Sequence, residues 1–148
     1  MYIDAQMLFS NSQRVCDGGA TELSTNVVDL KNIRDLGAGQ ILYWHILSEE
    51  IPAGSGTTLT FNLVSDDNAS LSSPSVIQST GAIAKATLVA GYHLQIPVAR
   101  GALSTVWQQY LGVQYVGDNT FASTGIMTSW IGIDAQDNIK YPDNITIS

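Results

Sequence analysis

Thr57-Thr-Leu-Thr-Phe-Asn-Leu-Val-Ser65 alternates with a period of two. Leu59, Phe61 and Leu63 fall on one parity; Thr58, Thr60, Asn62 and Val64 fall on the other. Successive side chains of a strand point to opposite faces, so the pattern predicts one face on an apolar core and the other toward solvent. Ile51-Pro-Ala-Gly-Ser-Gly56 before it reads as a loop. Asp66-Asp-Asn68 after it reads as a turn, because these side chains bond locally to the backbone.

The same texture continues on both sides. Gln40–Leu47 is apolar on both parities, with Ile41, Tyr43, His45 and Leu47 on one and Leu42, Trp44 and Ile46 on the other. That predicts a central strand, or a strand with one face covered by a partner. Thr105–Val116 carries Trp107, Leu111, Val113 and Tyr115 on one parity, and Gly112 inside it marks a bulge or a close approach. Gly117-Asp-Asn119 is a hairpin signal, with Ser123–Asp134 as the expected return strand. Val27–Leu30, Ser75–Ser79, Ile83–Val89 and Tyr92–Val98 are weaker strands. Pro74 and Pro97 suit strand ends and edges, where a missing N–H does no harm. No segment holds a helical period. The expectation is an all-β, single-domain, jelly-roll-like β-sandwich of about eight strands over residues 1–148. Residues 1–25 and 135–148 are apolar but poorly patterned and are expected to act as interface arms.

Composition narrows the function. The 148 residues are 45% hydrophobic and only 13% charged, which excludes disorder and a coiled coil. The net charge is −7, and the six cations are scattered, so neither nucleic acid nor an anionic membrane is an expected partner. The N-terminus has neither the basic start nor the apolar run of a cleaved signal, so synthesis in the cytoplasm is expected. Cys16 is the only cysteine, so neither an internal disulfide nor a cysteine zinc site can form, and a small buried residue is its plainest reading.

No catalytic signature stands out. There is no G-x-S-x-G elbow and no phosphate-binding loop before a helix. Two histidines cannot make a three-histidine metal site, and the Asp134, Asp137 and Asp143 spacing lacks the EF-hand pattern. No catalytic, cofactor or metal residue is assigned, and no enzymatic activity is expected. His45 reads as a hydrogen-bonded core or interface residue, and His93 as facing solvent or a rim. Trp44, Trp107 and Trp130 with Tyr43, Tyr92 and Tyr110 serve either as core and subunit interface or as a sugar-stacking face. An interface is assigned to Tyr2, Ile3, Met7, Phe9, Tyr43, Trp44 and His45, with the N-terminal segment docking by its aromatics.

Tyr2-Ile-Asp-Ala-Gln-Met-Leu-Phe9 resembles the opening of the capsid cement (decoration) proteins of tailed bacteriophages. The resemblance continues in order through Ser24-Thr-Asn-Val-Val-Asp-Leu30, Arg34-Asp-Leu-Gly-Ala-Gly39, Thr58-Leu-Thr-Phe-Asn-Leu63, Ala90-Gly-Tyr92, Ile96-Pro97, Tyr110-Leu-Gly-Val-Gln-Tyr115 and Phe121-Ala-Ser-Thr-Gly125. It spans nearly the whole chain and departs after Asp134. It implies a jelly roll without cofactor or enzymatic activity, acting as a homodimer or, second, a homotrimer. Its partner would be the major capsid protein and its place the outer surface of the virion head. The alternative from the fold alone is a carbohydrate- or receptor-binding sandwich module.

The strand parity makes a first prediction. Phe61→Ala should cost about 3–5 kcal/mol, the range for truncating a core Phe. Thr60→Ala, on the opposite face, should cost about 0.5 kcal/mol or less. Equal losses in chemical denaturation would show the parity to be wrong.

Overall fold

The computed structural model describes residues 3–31, 41–98, 107–121 and 124–133. Nine strands form two antiparallel sheets: β1 (Leu8–Arg14), β2 (Thr21–Leu23), β3 (Val28–Asp29), β4 (Tyr43–Ser48), β5 (Thr58–Asp66), β6 (Ser75–Ala84), β7 (His93–Pro97), β8 (Tyr110–Gly117) and β9 (Ile126–Gly132). One sheet runs β1-β9-β4-β7; the other runs β2-β8-β5-β6, with β3 also paired to β8.

The antiparallel pairs nest. β5 pairs with β6, β4 with β7, β2 and β3 with β8, and β1 with β9. The chain is therefore one long ribbon, doubled back between β5 and β6 and rolled so that the ladders β5–β8 and β4–β9 close the two sheets. That is a jelly roll. β2 and β3 are two short pieces at one edge position beside β8, so nine strands fill eight places.

The alternating face of β5 lies where its sequence puts it: Leu59, Phe61 and Leu63 are fully buried. They join Leu111, Val113 and Tyr115 of β8, Trp44 and Ile46 of β4, and Met127 and Ile131 of β9 in one apolar cluster between the sheets. Phe61 meets its ladder partner Tyr115 edge to face, ring centres 5.7 Å apart. Val64, expected toward solvent, is buried too. The loop after β5 folds back over the outer face of its sheet and lays Leu71 on Gly112, Val64's ladder partner. A Cβ on Gly112 would stand 2.4 Å from Leu71 Cδ1, so the glycine marks a close approach. Asp66 anchors that loop by accepting from the N–H groups of Ser73 (2.8 Å) and Asn68 (3.3 Å), which holds its carboxyl below the usual range.

Other expectations change. Ser75–Ser79 lies in one long edge strand, β6, which ends at Ala84; Lys85–Thr87 is a 3-10 turn, so most of the expected Ile83–Val89 strand is not strand. β8 and β9 are not a hairpin: they lie in different sheets, because the chain crosses the sandwich after Gly117. The Gly117-Asp-Asn119 turn instead positions Asp118 to cap the start of β5. Residues 8–14 and 21–23, expected in an N-terminal arm, are strands of the sandwich. Their alternation is hidden because β1 slips register twice, between Leu8 and Ser10 and between Ser10 and Gln13, with Ser12 at φ 48°. Tyr2, the Gly37-Ala-Gly39 turn and the tail 135–148 lie outside the described residues.

The open edge between β1 and β2 is closed by polar groups. Gln13 Oε1 accepts from Ser10 Oγ (2.7 Å) and the Thr25 N–H (2.9 Å), while its Nε2 donates to Leu23 O (2.8 Å) and Glu22 Oε1 (3.2 Å). Tyr115 OH donates to Ser10 Oγ at 2.7 Å from the opposite sheet. Burial pushes the Tyr115 phenol well above its ordinary range, so it acts as a neutral donor.

Two predictions follow from these contacts. A Cβ on Gly56 would stand 2.5 Å from the buried ring of Phe121. Gly56→Ala should therefore cost about 1–3 kcal/mol by overpacking, while Gly18→Ala, with open space around it, should stay within about 0.5 kcal/mol; urea unfolding midpoints compare them. Asp118 accepts from the Thr57 hydroxyl and from the N–H groups of Thr57 and Thr58, and these bonds bring its pKa down to about 2. Its folded value lies below its unfolded one, so its stabilisation is present above about pH 4 and is lost as pH falls toward 2. Asp118→Asn should flatten that part of the stability profile, read as urea midpoints at pH 5 and pH 2.5.

Candidate functional site

The residues assigned to an interface divide into two groups. Phe9 and Trp44 are fully buried in the apolar cluster of their own sandwich, so neither is a surface anchor. Trp44 Nε1 donates to Ser129 Oγ at 2.9 Å, which satisfies its only polar atom inside the core. Both face inward because their strands alternate about the sheet plane, and a dense apolar run does not say which parity faces in. Met7 is half-buried against the cluster and Ile3 is 38% exposed. Tyr43 is half-buried on the outer face of the β1-β9-β4-β7 sheet, beside His45.

His45 is fully buried on that outer face. It stacks on Trp130 of β9, ring centres 4.9 Å apart and planes 6° apart. Its Nδ1 lies 3.0 Å from Nε2 of His93 on β7. His93 is half-buried and bonded across strands rather than simply facing solvent or a rim. The sequence offers no sign of this pairing, since 48 residues separate the two rings and only the β4–β7 register joins them.

All three tryptophans are buried, Trp44 and Trp130 completely and Trp107 nearly so. A sugar-stacking site needs aromatic faces open to solvent, and none of the three offers one. Of the two roles considered for them, the core reading holds. Cys16 is buried as well; burial pushes its thiol up to about 11, so it stays protonated and unreactive at neutral pH. Among the described residues no three His, Cys, Asp or Glu side chains gather as metal ligands.

Two of the exposed large apolar side chains lie at one end of the β1-β9-β4-β7 sheet. Tyr43 pairs with Gly132, and Leu8 with Trp130, so the start of β4, the end of β9 and the start of β1 lie together. Ile41 is 48% exposed just before β4, and Ile133 is 60% exposed just after β9. At the start of β1 a groove of about 1010 Å³ runs between residues 5–8 and residues 25–31. Among the described residues that line it, Lys31 and Asp29 form an exposed bridge at 3.4 Å. Exposed apolar side chains are what a protein partner would cover.

The class this geometry defines is a two-sheet antiparallel jelly roll with buried aromatics and an apolar rim at one end. The chain belongs to the Bbp16 family, a phage-related family whose model matches residues 9–131. The match reaches into every strand from β1 to β9. No curated protein matches the chain.

Proposed function

We propose that this chain is a non-enzymatic structural protein of a bacteriophage virion, bound to the outside of the head, where it cements neighbouring major capsid subunits and stabilises the expanded shell. It is made in the host cytoplasm and acts as a homodimer, with a homotrimer as the second choice. The observation that carries the reading is the phage-related family match spanning the whole sandwich. The resemblance of the sequence to capsid cement proteins gives it its particular role. The exposed Ile41 and Ile133 at one end of the β1-β9-β4-β7 sheet support it as a place for a protein partner.

The mechanism is linkage. A shell under pressure opens at the seams between capsid subunits. A rigid sandwich that binds across a closed seam, and not across an open one, stabilises the closed state by mass action. An oligomer holding two sites at once needs only modest contacts at each, because the second binding is intramolecular. A rolled β ribbon with one shared core suits this role, since it transmits load without changing shape.

The test is to mix the protein with undecorated heads and pellet them. Wild type should co-sediment to saturation. Ile41→Lys with Ile133→Lys should weaken this at least tenfold, whereas Val89→Lys, exposed near the opposite end of the sheet, should not. Wild type left wholly in the supernatant would overturn the reading. Light scattering showing only monomer mass at micromolar concentration would overturn the oligomer.

A further inference from the structure

The chain has two histidines, and the fold brings them together. His45 lies opposite Gln95, and His93 opposite Leu47, in the ladder that holds edge strand β7 to β4. The nitrogens are 3.0 Å apart, the ring centres 5.2 Å apart, and the planes differ by 19°. Those values put both nitrogens near the line joining the ring centres. The rings lie edge to edge, and an N–H of one points at the lone pair of the other. Trp130 lies nearly parallel to both, 4.9 Å from His45 and 5.7 Å from His93.

Such a bond needs one N–H and one lone pair. It survives with both rings neutral or with one charged. With two imidazolium rings, two N–H groups would face each other at 3.0 Å and two like charges would meet beside a fully buried ring. A further partner on either outer nitrogen changes which ring holds the first proton, but leaves the junction's limit of one N–H unchanged. Among the described residues, the titratable and charged groups on this outer face are Tyr43, ring centre 6.5 Å from His45, Glu49 beyond the end of β4, and exposed Arg14 at the far end of β1 opposite Ile126. The Glu49 carboxylate accepts from the hydroxyls of Ser12 and Thr128. None of these groups restores the bond lost at the junction.

We propose that the His45–His93 pair is a pH-sensitive latch on β7: closed near neutral pH, and opened by a second proton so that this edge of the sheet loosens in mild acid. In the unfolded chain both imidazoles take protons near pH 6.5, whereas the latched fold takes one. The unfolded state then binds more protons below that pH, so stability falls as pH falls. One excess proton lowers the folding equilibrium constant by up to about tenfold per pH unit. Between pH 7 and pH 5 this change is separable from that of Asp118, whose pKa is about 2.

The test uses NMR on the full chain, where every imidazole signal belongs to this pair. On titration from pH 8 to pH 4.5, uptake of the second proton should coincide with a loss of amide protection in β7, taken relative to the intrinsic exchange rate at each pH. Urea unfolding of wild type and His93→Gln at pH 7 and pH 5 supplies a second measurement, with wild type losing more stability than the variant across that interval. If both rings titrate independently near their ordinary value while β7 keeps its protection, the latch does not exist. Identical pH dependence in wild type and variant would also overturn it. Should His93→Gln fail to fold, the wild-type titration decides alone.

Discussion

The burial of one parity of β5 is the constraint on which the rest of this structure depends. Leu59, Phe61 and Leu63 can leave water together only if a second sheet closes over them. Each such side chain is worth roughly 1.5–3 kcal/mol when fully buried, so the three together rival the whole net stability of a typical domain. Because side chains alternate, that choice also fixes the register of β8 and β6 beside β5. A slip of one residue would turn Thr58, Thr60 and Asn62 inward, where their polar groups would lack partners.

Closing the roll creates a second requirement. The chain passes from β1 in one sheet to β2 in the other, and this edge exposes backbone groups that a sheet interior would satisfy. Gln13 meets it with two acceptor and two donor contacts, and Tyr115 reaches Ser10 from the facing sheet. A buried polar network of this kind is stabilising only when its members are paired. The same logic governs the start of β5, where Asp118 accepts the N–H groups that no ladder partner takes.

The two outer faces of the sandwich are finished differently. On the β5–β8 side a loop folds back and places Leu71 over Gly112 and Val64. On the β4–β9 side Trp130 stacks with His45 and His93. At one end of the latter sheet Ile41 and Ile133 stay exposed. A protein proposed to sit across a seam benefits from this division: the faces keep the body rigid, and the rim supplies contact area.

Much of the sandwich could be read in the sequence because period-two alternation is local. The burial of Leu59, Phe61, Leu63, Leu111, Val113 and Tyr115, the central place of Gln40–Leu47 and the glycine contact at Gly112 all follow from neighbours in the chain. β1 was not legible, since its bulges break the period that would have announced it. The separation of β8 from β9 was not legible either, because a turn signal does not say whether the strands it joins share a sheet. Phe9 was hidden with β1, and Trp44 read as a surface anchor because a dense apolar run leaves its inward parity undecided. The meeting of His45 with His93, the Gln13 hub and the apolar rim at Ile41 and Ile133 join residues that are remote in sequence. By itself the sequence determined most of the short segments that become strands and which side of β5 turns inward. Only the tertiary structure decided which strands are neighbours, because a ladder's partner is chosen by the closure of the whole roll and not by the strand's own residues.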